Sequence, residues 1–399
     1  MNGPSTYAVL RRRTNIGLIA AFLVFLWLPA ADTFLHLDRT PSPNENRAPA
    51  RFPEFKPGFA AMHDYVSGIE AYFGDHFGFR NRLVTWEHHW KWQWFRTSRI
   101  NHVLVGKSGW LFFSGGLMID DVMGNRPFRE RELEAWRDLL QGRHDWLAQR
   151  GIRYLFVIPP DKHTIYPEHL PDWLVTAARP PQRLDQFIQY MKAHSDVPVL
   201  DLRQTLLEAK KDARVYWQTD THWNEMGAFL AYTRIVEHAA AFGLDVKPLA
   251  LSAFQVSTAN APSGDLSKYL GQEKWTVEKD LLSLTPKPPL TVLTTPIHLK
   301  LLVKDWVPGD EPRLSENPAA KGRLVMFRDS FTINLSHFLG YSFGRIVYIW
   351  QQNWDKRIIE SEKPDIVVDE MLERFLIFRD PLELKKKDEQ PDAQVFGDR

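Results

Sequence analysis

Beyond residue 130 the chain repeats one pattern: a short apolar run of strand character, then a segment of helical periodicity. IRYLFVIPP (152–160), VPVLDL (197–202), RLVMFRDS (323–330), RIVYIW (345–350) and PDIVVDE (364–370) are the strand candidates. RELEAWRDLLQGRHDWLAQRG (131–151) puts Leu133, Trp136, Leu139, Leu140 and Leu147 at helical spacing and stops at a glycine. Further helices are expected at 182–194, near 204–211, from the N-cap Asn224 to Gly243, from Thr332, and near 355–362. Strands alternating with helices predict an α/β fold whose mostly parallel sheet is covered on both faces.

The N-terminal part reads differently. Arg11, Arg12 and Arg13 precede an apolar run within residues 15–37, uncharged from Ile16 to Ala31. A basic flank before such a run orients the flank to the cytoplasm and everything after it to the outside. Residues 1–40 therefore read as a cytoplasmic tip and a membrane anchor or, with Leu28-Pro29-Ala30 as cleavage site, a signal peptide. Five prolines between 41 and 57 open a stiff connection and a helical region, 41–104, after which VGKSGWLFF (105–113) reads as strand, Gly turn, strand. The main domain is expected over 105–380, with 248–318, rich in proline, as an insertion of loops and short strands, and 381–399 as a polar tail.

Composition excludes some functions. Lys plus Arg is 50 and Asp plus Glu 49, a formal net charge of +1, so no basic field is available to hold nucleic-acid phosphates. The absence of cysteine excludes disulfides, thiolate metal sites and a cysteine nucleophile.

In an open parallel sheet, reactive groups gather where strands end and helices begin. Ser330 follows the strand RLVMF at such a turn, where a following helix aims free N–H groups at a developing oxyanion. Its alternative role is that of a helix cap. YWQTDTHWNEMGAF (216–229) carries Asp220 and His222 just before a helix. Either the two are polar turn residues, or with Glu225 they offer metal ligands, or they complete a nucleophilic site. A serine hydroxyl needs an imidazole to take its proton, and the imidazole needs an acceptor that fixes its tautomer. Asp220, His222 and Ser330 supply those three roles, with no metal and no cofactor required.

The segments ENRAPARFP (45–53), FGDHFGFRNRL (73–83), VGKSGWLFF, VIPPDKHTIYPEHLP (157–171), TDTHWNEMGA (219–228), SGDLSKYLG (263–271) and VMFRDSF (325–331) resemble, in order, the periplasmic alginate O-acetyltransferase family. The resemblance implies an SGNH-hydrolase-like three-layer α/β/α domain in which Asp220 and His222 are acid and base and Ser330 the nucleophile. The usual Gly-Asp-Ser of SGNH proteins is here Arg328-Asp329-Ser330. Ser330 N–H is the expected first oxyanion donor, and Arg328 or Asn353 the second.

The function so implied is O-acetylation of an extracytoplasmic, alginate-like polysaccharide through an acetyl-serine. Acetyl groups would come from a membrane-bound O-acyltransferase-like partner, and the chain would sit in the periplasm, anchored in the inner membrane by residues 15–37. Trp217, Trp223, Trp350 and Trp354 lie near the candidate site in sequence, and Trp223 and Trp354 are the first candidates for stacking on sugar. The same triad would serve an SGNH-type carbohydrate acetyl esterase, and a non-catalytic glycan-binding component of an export assembly is the reading from a different class.

Overall fold

The computed structural model describes residues 6–35, 37–38, 50–55, 58–90, 102–287, 292–296 and 311–389. Two compact units divide the chain, Met1–Thr97 with Lys268–Lys274, and Ser98–Ser267 with Trp275–Arg399.

In the first unit the helix Thr6–Leu35 contains Arg13–Thr33, which is long and apolar enough to cross a membrane by length and composition, with mean hydropathy 1.9. Phe22, Phe25 and Trp27 on it are exposed. Asp32, near its end, accepts from the N–H groups of Asp38 (2.6 Å) and Phe79 (2.7 Å). Those bonds tie the apolar helix to the start of the helix Arg80–Trp90. Most of the proline-rich connection lies outside the described residues.

In the second unit β1 (Val103–Val105) and β2 (Leu111–Phe113) pair antiparallel, and Ser108 and Gly109 between them take left-handed φ of 54° and 80°. β3 (Arg153–Ile158) and β4 (Val199–Asp201) follow; β5 (Phe254–Pro262) and β6 (Val277–Pro286) form a separate antiparallel ribbon. The remaining strands are β7 (Leu293–Pro296), β8 (Arg313–Glu316), β9 (Arg323–Arg328), β10 (Arg345–Trp350) and β11 (Ile366–Glu370). The main sheet has the order β4-β3-β11-β9-β10-β8-β7. Its first five strands are parallel and the last two pair antiparallel at one edge.

Successive residues of β9 divide between the two faces of this sheet. Leu324 and Met326 pack with Ile235 and Val236 of the helix Glu225–Ala241. Val325 and Phe327 pack with Trp136 and Leu140 of the helix Glu130–Ala148 and Phe187 of Arg183–His194. Each fully buried Leu, Ile or Phe contributes about 1.5–3 kcal/mol, so both faces must be covered. The result is a three-layer α/β fold with a mostly parallel sheet, as the sequence pattern predicts.

Two expectations change. Residues 248–318 were expected to hold loops and short strands; β7 and β8, of four residues each, are such strands on the main sheet, but β5 and β6 form a separate ribbon of 9- and 10-residue strands. Most of β5 is solvent-exposed, so it lacks the apolar alternation that marks a strand. The first part of the polar tail is a helix, Pro381–Glu389, whose buried Asp388 holds the buried Arg143 at 2.8 Å; residues 390–399 lie outside the described residues.

Candidate active site

The loop 216–223 is a closed hairpin. Tyr216 bridges Trp223 antiparallel, and Trp217 N–H donates to His222 O (3.2 Å). At its base Asn224 caps the helix Glu225–Ala241, accepting from Gly227 N–H at 3.1 Å and donating through Nδ2 to Arg214 O. Glu278 of β6, fully buried, accepts from the N–H groups of Gln218 (2.7 Å) and Thr219 (3.0 Å) and pairs with Arg214 at 3.2 Å. Asp220 and His222 are thus carried at the tip of a loop that is bonded on both sides.

Gly264 lies directly beneath that tip. A Cβ there would come within 2.2 Å of Asp220 Cβ, so no larger residue fits without moving Asp220. The next residue, Asp265, donates its N–H to Asp220 Oδ2 (2.8 Å). Its carboxylate accepts from Thr221 N–H (2.8 Å) and Thr221 Oγ1 (2.6 Å).

Ser330 follows β9 and precedes the helix Thr332–Leu339. The turn is pinned by Asp329, whose carboxylate accepts from Phe331 N–H (2.9 Å) and Leu372 N–H (2.8 Å). Glu370, at the end of the neighbouring β11, accepts from Asp329 N–H and Thr332 Oγ1, each at 2.9 Å. Ser330 does not cap the helix. Its Oγ lies 2.8 Å from His222 Nε2, and His222 Nδ1 lies 2.6 Å from Asp220 Oδ1. One hydrogen-bonded line therefore runs Asp220–His222–Ser330.

The charges of Asp220 and His222 sustain each other against burial. Burial opposes the imidazolium of His222, but the hydrogen bond and charge of Asp220, with the charge of Asp265, outweigh it and raise His222 above its ordinary value. Burial works against the Asp220 carboxylate, yet its bonds to His222 and to Asp265 N–H hold it far below the usual range. Asp265 is raised by burial and by the neighbouring Asp220.

Ser330 N–H has no protein acceptor among the described residues. Asn353 lies three residues beyond the end of β10, which runs parallel to β9, and its Nδ2 is buried without a hydrogen-bond partner among the described residues. Arg328 is buried, donates to Asp329 O (3.1 Å) and lies 4.1 Å from the Trp350 ring centre. Its Cβ is accommodated because it ends β9 rather than entering the turn.

The expectation that Trp223 and Trp354 stack on sugar is corrected: both are fully buried. Trp223 donates Nε1–H to Phe331 O (3.0 Å), and Trp354 stacks on Phe327 at 5.2 Å beneath the Arg143 guanidinium. Trp217 and Trp350 retain exposed surface. Glu225, weighed as a metal ligand, accepts from Leu284 N–H (2.5 Å) and Ser283 Oγ on β6 instead. A metal's donors here would be Asp220, His222 and Asp265, whose atoms lie within 4.8 Å of one another. A cation there would compete for the imidazole nitrogen that Asp220 occupies.

Sequence reasoning gave no role to Asp265 or Glu278. Asp265 belongs to SGDLSKYLG, which was distinctive as a segment, but the contact with Asp220 needs the tertiary fold.

Residues 103–289 match the family described as "SGNH hydrolase-like domain, acetyltransferase AlgX". The chain is 28% identical over 188 residues to the "Probable alginate O-acetylase AlgJ" of Pseudomonas aeruginosa, covering 47% of this chain and 42% of that protein. It is 30% identical over 169 residues to the protein of the same name in Pseudomonas syringae pv. tomato, covering 42% and 41%. The match thus spans less than half the length of these relatives. Bacillus cereus PatB1 superposes with a TM-score of 0.52 at 17% identity, over 70% of this chain and 99% of that one, a likeness of fold. Residues 103–289 are thus similar to an SGNH hydrolase-like domain, and the chain resembles the alginate O-acetyltransferase family, as its motifs imply.

Proposed function

We propose that this chain is an O-acetyltransferase that modifies an alginate-like polysaccharide outside the cytoplasmic membrane, with Ser330 as nucleophile, His222 as base and Asp220 as its orienting acid. The observation that carries this reading is the continuous line from Asp220 Oδ1 through His222 to Ser330 Oγ, at 2.6 and 2.8 Å. The names of the relatives, alginate O-acetylases, support the reaction class and the polymer.

In this reading Ser330 Oγ attacks the acetyl carbonyl of the donor while its proton passes to His222 Nε2. The tetrahedral oxyanion is received by Ser330 N–H and Asn353 Nδ2, with Arg328 supporting the turn rather than donating. His222 returns the proton to the leaving group, and acetyl-Ser330 remains. A sugar hydroxyl then gives its proton to His222 and attacks the acetyl-serine, and His222 passes that proton to Ser330 Oγ as its bond to the acetyl group breaks, which frees Ser330. The acetyl donor is supplied by a membrane-bound O-acyltransferase-like partner, and residues 15–37 anchor the chain in the inner membrane with everything beyond about residue 40 in the periplasm.

Intact-mass and peptide analysis of the chain after incubation with an activated acetyl ester tests this. A 1:1 acetyl adduct on Ser330 that an oligosaccharide acceptor discharges is the expected result. Adduct or full turnover persisting in Ser330→Ala removes the reading, and an enzyme that only ever releases acetate is an esterase.

A further inference from the structure

A lysine is almost never fully buried unless its charge is matched, yet Lys162, just past the end of β3, is 2% exposed. Its Nζ lies 2.6 Å from Asp220 O and 3.2 Å from both Trp217 O and Gln218 O. All three acceptors are backbone carbonyls of the loop that carries Asp220. An ammonium has three N–H donors and no acceptor, so its valence matches this site. A neutral amine has two N–H groups and a lone pair, which would face a carbonyl.

We propose that Lys162 is a positioning residue for the reaction above, its ammonium drawing the carbonyls of 217, 218 and 220 together so that Asp220 stays aimed at His222. The inference rests on the triad reading. Lys162 itself is held from behind, since the preceding Asp161 donates its N–H to Glu373 Oε2 (2.7 Å) and pairs with Arg374 at 3.0 Å. On its open side the rings of Phe112 and Trp110 lie 5.3 and 5.7 Å from Nζ, favouring a cation and excluding water.

The charges facing Lys162 are Asp220 and Asp265 from the loop and the residues beneath it, Glu278 from β6, and Arg374. His163 beside it is buried and pushed down to about 3, so it contributes no charge at neutral pH. Burial lowers Lys162 to about 7, against the pull of the three carboxylates. The clamp is therefore fully formed on the acid side and loosens as Lys162 loses its proton. That places an alkaline limb in turnover well below the ordinary lysine value of about 10.4.

The chain has no cysteine, which gives a clean test on the full-length protein. Lys162→Met keeps the length of the side chain and removes the charge. Lys162→Cys, alkylated with 2-bromoethylamine in denaturant and refolded beside an equally treated wild type, restores an amine of lower basicity. Lys162→Met should lose about 100-fold in kcat on an acetyl ester with KM little changed, the scale of a misplaced catalytic group. The alkylated protein should recover most of that loss, with its alkaline limb moved to lower pH.

His222 also reports without turnover. Its imidazole titration, followed by NMR against His222→Gln, should fall in Lys162→Met toward the ordinary value of about 6.5, even though loss of a neighbouring positive charge by itself would raise it. A wild type inert toward esters would sink the triad reading while the titration still tested the clamp. A folded Lys162→Met with kcat within about threefold of wild type, or an unmoved His222 titration, overturns the proposal. Should Lys162→Met fail to fold, an alkylated protein whose alkaline limb coincides with that of wild type overturns it.

Discussion

His222 Nε2 and Ser330 Oγ lie 2.8 Å apart although 108 positions separate them in the chain. They meet because a bonded hairpin tip and the turn after β9 converge at one end of the parallel sheet. If the two act as one unit, Ser330→Ala and His222→Ala should each reduce acetyl-ester turnover by at least about 10³-fold, and the double variant should be little worse than either. Steady-state rates on the four proteins check this. Losses that multiply would show two independent contributions.

With His222 as the proposed general base, its electrostatics set the acid side of the pH profile. A general base must be neutral, and His222 is raised above its ordinary value because Asp220 outweighs burial. The acid limb of kcat/KM should therefore lie above the ordinary histidine value of about 6.5. Asp220→Asn removes the charge that raises His222, so the limb should move to lower pH while the plateau falls by up to about 10⁴-fold. A limb that stays in place would separate Asp220 from His222.

The tryptophans divide into two kinds. Trp354, fully buried against Phe327 and Tyr154, should cost about 3–5 kcal/mol of stability as Trp354→Ala. Trp350→Ala should leave stability nearer to wild type and depress acetyl transfer to an oligosaccharide by up to about tenfold more than hydrolysis of a small ester, as loss of a stacking face would. Denaturant midpoints and the two rates, measured on the same preparations, distinguish them. Equal loss of transfer and hydrolysis in Trp350→Ala would assign that ring to packing.

Asp388 carries a stability prediction at the C-terminal end of the described chain. Its carboxylate holds Arg143 and accepts Trp354 N–H at 2.6 Å, while Arg143 also holds Asp369 at 2.5 Å and donates to Gln352 O. Asp388→Ala leaves a buried guanidinium half-compensated and an N–H unpaired, a loss of about 3–5 kcal/mol. Urea denaturation gives the value. A change under about 0.5 kcal/mol would show the helix Pro381–Glu389 to be detachable.

The sequence by itself determined the alternating strands and helices of the main sheet and the class of fold, though neither the β5–β6 ribbon nor the helix Pro381–Glu389. Apolar alternation in RLVMF is a local property, and a strand buried on both faces requires a helix layer on each. The motifs around Asp220, His222 and Ser330 were legible because each falls at the boundary of a strand or helix and the three residue types together fill the roles of one site. Tertiary structure alone decided which groups meet. Trp223 and Trp354 look like sugar platforms in sequence, but Phe331, Phe327 and a guanidinium from a helix more than 200 positions away enclose them. Lysine is seldom buried, and only three carbonyls from a loop 55 to 58 positions away make the burial of Lys162 possible. Burial and partnership depend on strand order, and strand order is a long-range property that no local window of residues contains.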